Sequence, residues 1–214
     1  MKISKITQSL LLMSLVVVVF NIARLDMWGT TNLLYLIWNL FLAWIPYIIS
    51  SCFIKKETSV NYFIPIFVVW ILFFPNAPYL VTDVLHIASS LSISLWYDSL
   101  LFFFFGWIGL LLSILSLSHV YNYLKVHLSY LTSEIIIFVI CLISSFGIYL
   151  GRFERWNSWD IFVDPLHLIK DSLYISTNLI YVKTPLLFIG VFTIFMYFTY
   201  KTITVLVTKQ MCKE

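Results

Sequence analysis

Long apolar runs separated by short polar clusters make up nearly all of this 214-residue chain. A helix that crosses the hydrocarbon of a bilayer needs about 20 mostly apolar residues. Six runs meet or approach that length: Ile6–Ala23, Asn32–Ile54, Tyr62 to at least Phe74, Ser99–Leu117, Glu134–Leu150 and Leu179–Val207. The last is long enough to tilt or to emerge from the bilayer. The third is anomalous. Tyr62–Phe74 rises only about 20 Å as a helix, and it leads into P-N-A-P-Y-L-V-T-D, Pro75 to Asp83. Two prolines three apart remove two amide donors and disrupt a helix, and the freed carbonyls need partners in protein or in a wet cavity. The pattern predicts a helix that breaks at Pro75 near the outer leaflet. It then continues, irregularly or as a second half-helix, to about His86.

Composition turns this pattern into a class. The chain is 61% hydrophobic and 11% charged, with mean hydropathy +0.97, whereas soluble domains carry about 25% charged residues. So small a chain has too little interior for its own apolar surface. The expectation is a single integral membrane domain over residues 1–214, all-α, with six transmembrane helices and the third broken at the Pro-Asn-Ala-Pro motif. Lysines at 2 and 5 precede the first run, and no small-x-small site follows it. It passes into Asn21, Arg24 and Asp26, which reads as a retained first span rather than a cleaved leader.

Net charge is +3, and no basic tract is dense enough for nucleic acid. With a cytoplasmic N-terminus, the inner segments hold Lys2, Lys5, Lys55, Lys56, Lys125, Lys201, Lys209 and Lys213, and the outer ones Arg24, Arg152, Arg155, Lys170 and Lys183. Eight against five follows the positive-inside rule and puts both termini in the cytoplasm. Cys52, Cys141 and Cys212 are scattered, with no C-x-x-C spacing; a disulfide framework or thiolate metal site is not expected.

The densest polar cluster is Gly151–Asp160, G-R-F-E-R-W-N-S-W-D, with two of the three arginines and two of the eight tryptophans. If the stretch is helical, Arg152, Arg155, Trp156 and Trp159 share one face. Just before it, Gly147 and Gly151 put small residues on one face, one turn beyond Ser144, and allow close helix packing. After it, Asp164 followed by Pro165 is a helix-start signal for a short amphipathic helix on the outer surface. The inner stretch Tyr121–Tyr130 reads similarly, with Lys125 and His127 facing water. Trp96, Tyr97 and Asp98 open the fourth span.

The combination of P-N-A-P-Y-L-V-T-D, W-Y-D (Trp96–Asp98) and G-R-F-E-R-W-N-S-W-D resembles an uncharacterised family of bacterial multi-pass membrane proteins, a domain of unknown function. The resemblance covers roughly Asn32–Val207. It implies a bacterial inner-membrane protein and transfers no activity, so the residues carry the functional argument.

The outer face gathers two sets of chemistry-bearing residues. Asp83 and Asp160 follow the two motifs at similar depth. With His86 they are the candidate catalytic groups, since a carboxylate beside an imidazole in a partly dry pocket suits general acid–base chemistry. Asn76, Asp98, Arg152, Arg155, Trp156 and Asn157 are candidate substrate-binding groups. Arginine forks suit phosphate or carboxylate, so the expected partners are the lipid bilayer and an anionic lipid or envelope substrate. Asp83 with His86, and Asp164 with His167, recur at a helical i, i+3 spacing, but no H-E-x-x-H or D-x-D-x-D pattern supports a metal; neither metal nor cofactor is assigned. Other readings stand beside these. The arginines pair with Asp83, Asp98 or Asp160 and simply lock two loops together, or the broken third span belongs to a small transporter. Against a transporter, the span cores hold no ionisable residue and leave Ser14, Asn39, Ser113 and Ser144 as the polar groups at depth. The reading preferred here is a membrane-embedded enzyme with an extracytoplasmic pocket.

Overall fold

The computed structural model describes residues 4–29, 31, 33–86, 95–156, 163–178 and 183–211, and every element among them is helical. In chain order these are α1 (Lys5–Trp28), α2 (Tyr35–Phe53), α3 (Val60–Phe73), α4 (Asn76–Thr82), a 3-10 turn (Asp83–His86), α5 (Leu95–His127), α6 (Tyr130–Phe153), α7 (Pro165–Asn178) and α8 (Lys183–Met211). Among the described residues six segments are long and apolar enough to cross a membrane, with α3, α4 and the turn forming one of them, Val60–His86. Side-chain hydroxyls set two starts: Ser4 accepts from the Thr7 amide and Ser129 from the Thr132 amide, each satisfying a donor the helix leaves open. Gly29, at φ +66°, ends α1 in the left-handed region.

The bundle is assembled around α5, which packs against α1, α2, α4, α6 and α8. Of its most apolar stretch, 67% is buried in protein, against 44% or less for any other span. One core lies on each side of it, one shared with α1, α2 and α4 and the other with α3, α6 and α8. At 33 residues it is about 50 Å long, well beyond the Ser99–Leu117 run. The separate inner helix expected over Tyr121–Tyr130 does not form. Residues to His127 continue α5 and Tyr130 begins α6. Packing overrides the local polarity there: Val120, Tyr123 and Leu124 are buried, and the Tyr123 ring stacks on Phe63 with centroids 3.8 Å apart.

His119, two residues beyond the expected Ser99–Leu117 run, falls within α5. Its Nδ1 lies 3.1 Å from Ser50 Oγ, which is 3.0 Å from Ser116 Oγ. Ser116 in turn accepts from Trp70 Nε1 (2.8 Å) and donates to the Pro46 carbonyl (3.0 Å). This network joins α2, α3 and α5 through buried hydroxyls, which hydrocarbon leaves with no other partner.

The third span breaks at the motif, as expected, but mildly. Phe74 and Pro75 both keep right-handed helical dihedrals. The Ala77 amide bonds to the Phe74 carbonyl (3.2 Å) instead of one residue further back. Phe73 O, left without that amide, accepts from Asn76 Nδ2 at 2.9 Å. Close approach then fixes α4 in place. A Cβ on Gly109 of α5 would collide with the Ala77 carbonyl and the Leu80 side chain, and one on Gly147 of α6 would lie 3.1 Å from the Pro75 ring. The expected small face of α6 is thus the seat of the break. The Gly151–Asp160 stretch is not one helix: α6 ends at Phe153 and Arg155 takes φ +62°, so the shared face proposed for Arg152, Arg155, Trp156 and Trp159 does not exist. Trp159 lies outside the described residues. The helix start at Pro165 is as expected, with Asp164 Oδ1 accepting the His167 amide at 3.2 Å. Leu166 and Tyr174 of α7 are exposed.

Candidate functional site

The two motifs meet at the end of the bundle where α4 and α6 finish and α2 begins. The meeting starts with a glycine. Gly151 has no side chain, so the Tyr79 ring lies against the end of α6, where a Cβ would be 3.3 Å from ring atom Cε2. The next residue, Arg152, lays its guanidinium over that ring, 4.1 Å from the centroid, a cation–π contact that also fixes the plane of the fork.

From that plane Arg152 reaches three residues of the other motif. Nε and Nη2 donate to Thr82 Oγ1 at 3.1 and 2.9 Å, Nη2 also donates to Asp83 Oδ1 at 2.6 Å, and Nη1 donates to His86 Nε2 at 2.6 Å. Thr82 accepts both bonds because its own hydrogen goes to the Tyr79 carbonyl at 2.7 Å. Asp83 is 0% exposed and the Arg152 side chain 5%, so the pair is buried; the second Asp83 oxygen accepts from Asn39 Nδ2 of α2 at 3.2 Å. His86, by contrast, is exposed. A guanidinium only donates, so Nε2 of a neutral His86 is the acceptor and its ring proton sits on Nδ1.

Donors remain over. Arginine carries five N–H groups, and the four bonds above use four, leaving one on Nη1 without a partner among the described residues. The Tyr35 hydroxyl is buried with no hydrogen-bond partner there, and its ring packs edge-on to His86 with centroids 5.8 Å apart. Both acceptor oxygens of the carboxylate are engaged. Chemically, the groups left over, one Arg152 N–H and the Tyr35 O–H, are both donors.

Asp83, His86 and Arg152 therefore come together from the set expected of the sequence, and the others do not join them. Asp98 forms a different buried pair, with Arg24 Nε at 2.5 Å and Nη2 at 2.9 Å, linking α5 to α1. Asn76 spends its amide on the break in the third span. Trp156 donates through Nε1 to Asp171 of α7 at 3.2 Å and packs edge-on to His167, tying the end of α6 to α7. Arg155 is exposed. Asn157 and Asp160 lie outside the described residues. No cluster of three or more metal-ligating side chains occurs among the described residues.

Tyr35, Asn39, Thr82 and Tyr79 complete the cluster and were not among the expected residues. Asn39 carried a signal, as an amide inside an apolar run with no use of its own. Thr82 stands beside Asp83 in the motif.

Fold and polar cluster together define a multi-pass α-helical membrane protein with a buried ion-pair cluster at one end of its spans. More particularly, the family model described as "Protein of unknown function (DUF1361)" matches residues 38–199, and the chain belongs to that family. No curated protein and no solved structure matches it.

Proposed function

We propose that the chain is a bacterial inner-membrane enzyme acting on a lipid or cell-envelope substrate, with its polar cluster at the extracytoplasmic face. The observation that supports this best is the link from a fully buried carboxylate to an exposed imidazole through one guanidinium that keeps an unused N–H. A clamp between two helices needs the carboxylate and the guanidinium alone; the imidazole adds a proton-transfer group on the accessible side. In this reading Asp83 and Asn39 hold Arg152 in place, and Arg152 and Tyr35 receive the anionic part of the substrate. An anion that takes the Nη1 hydrogens releases His86 Nε2 to act as base. Exposed Arg155 adds positive charge near the same helix end.

The rival is a purely structural clamp, favoured by the full engagement of both Asp83 oxygens. Complementation of a strain lacking the gene separates the two, with monodisperse protein yield as the control for folding. His86→Asn is expected to give normal yield and no complementation. Full complementation by His86→Asn would leave only the clamp.

A further inference from the structure

A second polar site lies at the opposite end of the bundle, between the last turns of α5 and α8 and the start of α6. An open cavity of about 300 Å³ is lined there by Lys125 and Tyr121 of α5, Glu134 of α6, and Tyr200, Lys201 and Val205 of α8. Glu134 is satisfied within the protein: Oε1 accepts from Lys201 Nζ at 2.8 Å and Oε2 from Tyr197 at 3.0 Å. That pairing cancels one lysine and leaves the other. Lys125 is exposed and has no carboxylate within salt-bridge distance among the described residues. The cavity therefore carries one net positive charge.

Its free hydrogen-bonding groups are also mainly donors. Lys201 gives one hydrogen to Glu134 and retains two, and Lys125 has three. Tyr200 is the second observation. Its side chain is 1% exposed and lines the cavity, yet its hydroxyl makes no hydrogen bond among the described residues; its ring meets Tyr121 edge-on, with centroids 6.1 Å apart. An unbonded hydroxyl on a residue that lines a cationic cavity is available to donate to a bound oxygen. Val205 and Leu206 beside it are 49% and 61% exposed, an apolar flank suited to acyl chains.

We infer that this cavity binds a phosphate-bearing anion, carried on an anionic phospholipid or free in solution, with Lys125, Lys201 and Tyr200 as its donors. The site lies at the end of the bundle to which the lysine count assigns the cytoplasm. Anionic headgroups are concentrated on that face, and basic pockets between spans bind them.

The test uses the full chain in detergent. Retention of phosphatidylglycerol and of phosphatidylcholine is measured by native mass spectrometry, and inorganic phosphate is titrated separately by thermal shift. Wild type is compared with Lys125→Gln, a change at an exposed side chain with no ion pair among the described residues, and with Tyr200→Phe, which removes one oxygen. Phosphatidylglycerol is expected to be retained over phosphatidylcholine, and Lys125→Gln to weaken it about fivefold, the weight of one interfacial lysine; Lys125→Arg restores it. Stabilisation by inorganic phosphate that depends on Lys125, without selective lipid retention, identifies the free anion as the ligand. Equal behaviour of wild type and both variants toward every probe overturns the inference.

Discussion

Replacing Arg152 by methionine removes the charge while keeping an apolar side chain of similar reach. The consequence follows from burial. Asp83 is 0% exposed and the Arg152 side chain 5%, so water does not reach the carboxylate left behind. Removing one partner of such a pair costs about 3–5 kcal/mol, because a charge stays buried without compensation. Asn39 alone still bonds to Asp83, at 3.2 Å, and it offers a dipole rather than a charge. Changing both partners, Asp83→Asn with Arg152→Met, removes the orphaned charge, so the double variant is expected to be more stable than the sum of the two single losses by about 2 kcal/mol. Reversible unfolding in mixed micelles measures all four corners of the cycle. A loss below about 1 kcal/mol for Arg152→Met, the value for an exposed pair, would refute the reasoning, since it would mean that the carboxylate is hydrated or already neutral.

The remaining expectations test other parts of the bundle. Gly109→Ala drives a methyl group into the backbone of α4 and is expected to cost about 1–3 kcal/mol, the usual size of overpacking, whereas Gly190→Ala, with open space around it, is expected to be neutral or stabilising; the same unfolding assay reads both. Ser116→Ala leaves the Trp70 indole N–H, on a fully buried side chain, without its acceptor and is expected to cost about 1–3 kcal/mol, accompanied by a change in tryptophan fluorescence. Glu134→Gln disturbs a pair whose lysine side chain is 31% exposed and is expected to cost less than about 1 kcal/mol. Reporter fusions after Lys56 and Lys125 are expected to report cytoplasm; a periplasmic signal at Lys125 would reverse the orientation drawn from the lysine count.

What could be read from the sequence was local. Apolar run length located six spans, two prolines located the break, and Asp164-Pro165 located the start of α7, because each feature acts within a turn or two of itself. The pairings were not local. Arg24 meets Asp98 across 74 positions and Arg152 meets Asp83 across 69, and with ten acids available nothing in the chain states which acid belongs to which arginine. From the sequence Asp98 therefore reads as a neighbour of Arg152 and Arg155, and Arg24 only as an outer charge. The reach of α5 is hidden for a different reason: Ser118 and His119 end the apolar run, while Val120, Tyr123 and Leu124 on the buried face hold the helix together to His127, about three turns further. The turn at Arg155 was hidden because a non-glycine residue at positive φ leaves no compositional mark.

The two long-range pairs also impose an order on biogenesis. Arg24 enters the membrane with the first span and meets its counter-ion only when Asp98 arrives at the start of α5. Asp83 arrives before that event and waits until the end of α6 for Arg152. A nascent chain that stops between α5 and α6 has thus closed the first latch and left the second carboxylate alone, a burden that apolar surroundings make heavy. Quality-control proteolysis of staged truncations would then spare chains that extend past Arg152 and remove those that end just short of it.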